Sequence, residues 1–174
     1  MSKSVFGIAT TQGQAEDVVT RLQSQGFASS EISVLLPDTS GTADFGHVKS
    51  TKASEGVTAG ATSGGVAGGA VGLLAGIGAL AIPGVGPFIA AGPIMAALSG
   101  AAIGATAGGI VGGLIGLGIP EIEARRYEEK LRKGNYLVAV RVADGDETDR
   151  AEKVFKESGV EDISTIHEAS APKD

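Results

Sequence analysis

Cysteine is absent, so disulfides, thiolate metal sites and cysteine nucleophiles are excluded. Tryptophan is absent too, and aromatic residues make up only 4% of the chain, which argues against the stacking platforms that hold single-stranded nucleic acid. Positive charge is in deficit: 14 Lys and Arg against 20 Asp and Glu leave a net charge of −6. Nucleic acid needs a concentrated basic footprint, so it is not an expected partner. The start, Met1-Ser2-Lys3-Ser4-Val5, lacks a basic region followed by an apolar run, and no signal peptide is expected. Neither a G-x-S-x-G nucleophile elbow nor a G-x-x-x-x-G-K-[ST] phosphate loop occurs. The most informative absence is local. Between Val57 and Pro120 there is no charged residue.

That stretch is built from Gly, Ala, Val, Leu and Ile, and glycine recurs in it every fourth residue, twice over. Gly60, Gly64, Gly68, Gly72 and Gly76 form one series, and Gly100, Gly104, Gly108, Gly112 and Gly116 the other. On a helix this spacing keeps a groove without side chains on nearly one face. Glycine inside a helix costs about 1 kcal/mol relative to alanine in water, so a compensating interaction is required. Close helix–helix approach supplies one, as in G-x-x-x-G pairs in lipid. The expectation is a helical hairpin over 57–120, with arms at 57–81 and 94–119, zipped along its glycine faces. Pro83, Gly84, Gly86 and Pro87 break it in the middle. Each arm is long enough to cross a hydrocarbon core. A second groove (Gly65, Gly69; Gly109, Gly113) offers a surface for self-association. The alternative is a soluble oligomer whose hairpins share an apolar core, since Gly and Ala are only weakly apolar.

The flanks read as two similar halves. Residues 1–36 hold a strand at Val5–Ala9, a helix capped by Thr10 or Thr11 with Ala15, Val18, Val19 and Leu22 inward, a stop at Gly26, and a strand at Ile32–Leu36. Residues 37–56 form a polar linker. After the hairpin, 121–168 hold a stalk helix continuous with the second arm and ending at Gly134, then a strand at Tyr136–Val142. A helix at Thr148–Ser158 follows, with Ala151, Val154 and Phe155 inward and a stop at Gly159, and then a last strand at Ile163–Ile166. Ile122, Tyr127 and Leu131 form the stalk's apolar stripe, and Glu121–Arg125 and Glu129–Lys133 are favourable i,i+4 pairs. Residues 169–174 are expected to be a disordered tail. Ala15-Glu16-Asp17-Val18-Val19 and Ala151-Glu152-Lys153-Val154-Phe155 mark a faint internal repeat. Two βαβ halves in one sheet predict an α+β fold, a ferredoxin-like split βαβ sandwich with the glycine-zipper hairpin inserted between the halves.

Candidate chemistry is sparse. Asp38, Asp44 and His47 share a loop with no regular spacing to converge them, so a polar loop is favoured over a metal site. His167 with Glu168 reads as surface. No catalytic residue, cofactor or metal is expected. Lys49 and Lys52 precede the apolar stretch, and Arg125, Arg126, Lys130, Arg132 and Lys133 follow it. Basic residues at both ends and none between predict that both ends lie on the cytoplasmic side of a membrane, although the second cluster alone also fits a solvated helix face.

The strand Val5-Phe6-Gly7-Ile8 and its helix, the strand Ile32-Ser33-Val34, and the loop Asp44-Phe45-Gly46-His47-Val48-Lys49 through Thr51-Lys52-Ala53 resemble the bacterial heat-induced or general stress protein family. Ile82-Pro83-Gly84-Val85-Gly86-Pro87-Phe88 and Gly118-Ile119-Pro120-Glu121 resemble its longer, hairpin-bearing members. The resemblance implies a stress-response role and supplies no catalytic residues. In layout alone the chain is also similar to a membrane subunit of bacterial quinol:electron-acceptor complexes. The resulting expectation is a non-enzymatic stress protein of the bacterial inner membrane. Its partners would be membrane lipid and further copies of itself, together with a protein bound by the α/β domain. The alternatives are the soluble homo-oligomer and an accessory subunit of an electron-transfer complex.

Overall fold

Strands from the two ends of the chain alternate in one antiparallel sheet. The fold comes from a computed structural model, which describes residues 3–37, 77–82, 86–95, 98 and 109–167. The elements are β1 (Lys3–Ala9), α1 (Gln12–Ser24), β2 (Ile32–Pro37), β3 (Ile77–Ile82), β4 (Gly86–Ala91), α2 (Gly109–Gly116), α3 (Glu121–Arg132), β5 (Tyr136–Val142), α4 (Gly145–Glu157) and β6 (Glu161–His167). The sheet order is β3-β4-β2-β5-β1-β6, and every neighbouring pair is antiparallel.

The two β-α-β segments begin their helices in the same way. The side chain of Thr11 accepts the Gln14 amide, and Gln14 returns its carbonyl to the Thr10 amide at 2.7 Å. In the second segment, Asp144 accepts the Glu147 amide at 2.8 Å, and Glu147 accepts the Ala143 amide at 2.8 Å. Each reciprocal pair satisfies amides that a helix start leaves without partners. The helices end on left-handed glycines, Gly26 at φ +95° and Gly159 at φ +75°. Both lie on one face of the sheet. Ala15, Val18, Val19 and Leu22 of α1 and Ala151, Val154 and Phe155 of α4 pack there against Val5, Ile32, Val34, Val138 and Val140. Gly7 allows the close approach, because a Cβ there would collide with Val160 and Phe155.

The opposite face is covered too. Phe6, Ile8, Leu35, Leu137, Ala139 and Ile166 point to it, and Ile94, Met95, Leu98, Ile110, Leu114, Ile119, Ala124, Tyr127 and Leu131 close over them. These covering side chains are at most 3% exposed. With both faces buried, the inner strands read as near-continuous apolar runs instead of alternating ones.

Three expectations are corrected here. Residues 77–81, expected in the first helical arm, and 86–91, expected in the break between the arms, are instead strands, β3 and β4, which extend the sheet beyond β2. Only Pro83-Gly84-Val85 separates them. Two short apolar runs flanking a Pro/Gly-rich connection favour a β-hairpin, and Gly76 and Gly78 weaken any helix there. The second arm and the stalk are not continuous: α2 stops at Gly116, Gly118 turns the chain at φ +98°, and α3 starts after Pro120. Ile122 is 76% exposed, and Ala124 takes its place beside Tyr127 and Leu131. Positions 124, 127 and 131 fall on one helical face, whereas 122 lies far round from it. The remainder of the first arm, 57–76, the polar linker after Pro37 and the C-terminal tail lie outside the described residues.

Candidate functional site

Two features set this molecule apart from a plain sheet with helices on one side. The first is the apolar cover, and the second is the polar seam that fastens α3 to β6.

The cover begins at Gly92. Its φ is +95°, and a Cβ there would press on the Ile32 carbonyl and on Ser33. This residue therefore has to be glycine, and it turns the chain from β4 over the sheet. Ser33, buried completely in β2, accepts the Ile94 amide at 3.0 Å. Residues 93–95 are helical, so Ser33 does for this start what a capping residue would do. After Leu98 the next described element is α2, which lays Ile110 and Leu114 on the same face. Burying residues of this size is worth roughly 1.5–3 kcal/mol each before entropy is counted.

The seam lies at the opposite edge of the sheet. Glu123, Arg126, Tyr127 and Lys130 share one face of α3 and meet the start of β6. The Ser164 hydroxyl donates to Glu123 Oε2 at 2.6 Å, and the Tyr127 phenol donates to the Asp162 carbonyl at 2.7 Å. Lys130 Nζ lies 2.7 Å from Glu161 Oε2, and Arg126 Nη1 lies 3.4 Å from Asp162 Oδ1. Asp162 sits at φ +50°, a left-handed conformation uncommon for a residue with a side chain, and the β1–β6 register shifts between Phe6 and Ile8. A bulge at an edge re-aims the strand, and here it brings Asp162 under α3. Burial raises the Tyr127 phenol far above its ordinary range, and the carboxylates of Glu123 and Asp162 raise it further. The hydrogen bond to Glu161 raises Lys130.

Chemically the seam is self-satisfied. Glu123 holds a hydroxyl, and the Tyr127 proton is committed to a carbonyl, so neither is poised as base or nucleophile. A cavity of about 50 Å³ lies among Glu123, Arg126, Tyr127, Asp162, Ile163 and Ser164, and another of about 10 Å³ lies beside Ser4, Phe6 and Ile94. Both are far smaller than a metabolite pocket. Among the described residues, no group of three or more His, Cys, Asp or Glu could hold a metal.

The expected site residues fall as follows. Gly60, Gly64, Gly68, Gly72, Gly76, Gly100, Gly104 and Gly108, together with Lys49, Lys52, Asp38, Asp44 and His47, lie outside the described residues. Gly112 and Gly116 are on α2, where Gly116 is exposed and a Cβ would meet nothing within 4 Å. Arg125, Arg126, Lys130 and Arg132 are on α3 and Lys133 is its C-cap, each paired with a carboxylate: Glu121, Asp162, Glu161, Glu128 and Glu129 respectively. His167 is exposed at the end of β6. Ser33, Glu123, Asp162 and Ser164 were not anticipated. Ser33 left a trace in the sequence, as a lone hydroxyl inside an apolar strand. The other three gave no comparable sign.

Among the described residues, no helix is long and apolar enough to cross a membrane. Scanned against protein families, curated proteins and solved structures, the chain matches none of them.

Proposed function

We propose that the protein is a non-enzymatic assembly module that associates with further copies of itself through its uncharged, glycine-rich stretch. Its body is an α/β domain, which we read as a ferredoxin-like split βαβ sandwich: strands β2-β5-β1-β6 from two β-α-β halves, widened by β4 and β3. One observation carries this reading. The later part of the uncharged stretch is spent on the domain's own sheet, where Ile94, Met95, Leu98, Ile110, Leu114 and Ile119 are buried. Moving these residues into lipid would gain little, since they are already out of water, and it would strip Phe6, Leu35 and Leu137 of their cover.

The connectivity supports the same reading. β2 ends at Pro37 and β3 begins at Ile77, and both strands lie in one sheet, so a connection that crossed a bilayer would have to cross it twice. Crossing a bilayer and returning takes about 40 apolar residues, and the uncharged run ahead of β3, 57–76, is long enough for one crossing. The glycine period at Gly60–Gly76 and Gly100–Gly116 then serves contact between copies. A stress-response role is proposed on the family resemblance of the strands and of the Asp44–Lys49 loop.

A second reading retains membrane lipid as a partner at the inner face of the bacterial inner membrane, by interfacial contact. It is favoured by Ile115 and Ile122, which are 44% and 76% exposed, and by Arg125 and Arg126 on the same helix as Ile122. Fractionation without detergent, followed by a carbonate wash of the membrane pellet, distinguishes the two. The proposal expects release into the soluble fraction as a homo-oligomer. Retention in washed membranes, with a monomer on solubilisation, would overturn it.

A further inference from the structure

The two edges of the sheet are guarded very differently. β6 carries Glu161 and Asp162, starts with a bulge, and is clamped by α3. Charge, a bulge and a covering helix are the devices that stop an edge strand from recruiting another strand. Among the described residues, β3, Ile77-Gly78-Ala79-Leu80-Ala81-Ile82, shows none of them. It contains no charge and no proline, and among the described residues it pairs on one side only, with β4.

The register shows which of its backbone groups face outward. Ala81 stands opposite Pro87, which has no N–H to donate. That pair therefore takes the non-hydrogen-bonded place in the ladder, and the places alternate along an antiparallel pair. Gly78, Leu80 and Ile82 bond to β4, so the N–H and C=O groups of Ile77, Ala79 and Ala81 are turned to the outer edge, where no described strand pairs with them. Left out of water without partners, they would cost free energy.

We propose that β3 pairs edge to edge with β3 of a second copy, antiparallel about a two-fold axis, so that two six-stranded sheets become one. An antiparallel edge is complementary to itself, which is what a two-fold interface requires. Charge selects the same occupant. Each copy carries a net charge of −6, and two copies repel across most of their surface, but residues 57–120 meet without any charge. Pairing through β6 would instead bring Glu161 and Asp162 together. The inference rests on the self-assembly reading above and names its contact.

The test uses the full chain without detergent. Sedimentation equilibrium is run on the wild type, on Ala79→Pro, and on Gly68→Leu combined with Gly108→Leu. Proline at 79 removes an outward N–H and leaves the bonds to β4 in place. The expected result is a wild-type dimer, or a multiple of one, with the dimer contact at least tenfold weaker in Ala79→Pro and circular dichroism unchanged. Because the chain has no cysteine, Gly78→Cys, Ala79→Cys and Leu80→Cys, oxidised one at a time, provide a second measurement even if the proline variant misfolds. The residue nearest the axis should yield a disulfide-linked dimer. An oligomer untouched by Ala79→Pro, with no crosslink at any of the three positions but lost in the double leucine variant, would overturn pairing through β3 and leave glycine-mediated assembly standing. A wild type that is monomeric at high concentration would overturn both.

Discussion

Ser33, Gly92 and Tyr127 each make one contact that places a larger piece of chain. Ser33 caps the turn at Ile94 from a different strand, so Ser33→Ala leaves a buried amide without a partner. The expected loss is about 1–3 kcal/mol, read by chemical denaturation. A loss below about 0.5 kcal/mol would mean that water replaces the hydroxyl. Tyr127→Phe removes the bond to the Asp162 carbonyl and should cost about 1 kcal/mol at neutral pH. The same phenol sets a pH dependence. Its pKa is raised in the fold by burial and by the Glu123 and Asp162 carboxylates. Its contribution is therefore complete below the unfolded value of about 10 and is lost as pH rises above it. The wild-type Tm should fall more steeply than that of Tyr127→Phe between about pH 9.5 and 11. Parallel curves would show that the phenol ionises freely in the fold.

At the level of elements, the outer segments were legible and the middle was not. Ala15, Val18, Val19 and Leu22 recur at helical spacing, Gly26 ends their helix, and these same residues are buried against the sheet. Tyr136–Val142 matches β5 to the residue, because it lies between a glycine turn and the Asp144 cap. Residues 77–91 misled for a physical reason. A short apolar run without charge fits a buried strand and a helix equally, and the regular glycines on either side tipped the reading to helix. A counter-signal was available. Val5–Ala9 and Leu137–Val140 are apolar at successive positions, which marks strands covered on both faces, and α1 and α4 can cover only one. The second cover had to come from somewhere, and the uncharged stretch was the apolar material left. The seam was illegible because it depends on a backbone irregularity at Asp162 that no residue type announces. α2 provides the element-scale test. Leu114→Ala should lower the stability of the whole domain by about 2–5 kcal/mol in an unfolding titration without lipid or detergent. If α2 stood apart from the sheet, the same change would leave the domain's transition where it was.

For the whole molecule, the uncharged stretch is one segment with two uses. From β3 onward, its described residues complete the domain, widening the sheet and sealing its second face. The outer edge of β3 and the glycine-rich remainder are proposed to join copies. This division explains why a chain of net charge −6 concentrates all its charge outside 57–120. It also explains why α3 carries a balanced set of pairs, Arg125–Glu121, Arg132–Glu128 and Lys133–Glu129, on its outer surface. Exposed pairs of this kind are screened by water, so they keep the surface wet and do little to hold the helix down. Residues 86–95, 98 and 109–119 belong to the folded core in water. Hydrogen–deuterium exchange on the full chain, without lipid, tests it most directly. Amides of β4 and α2, among them Ile89, Ala91 and Leu114, are expected to exchange as slowly as those of β5. Exchange of these amides within seconds while β5 stays protected, with protection appearing only when vesicles are added, would contradict it.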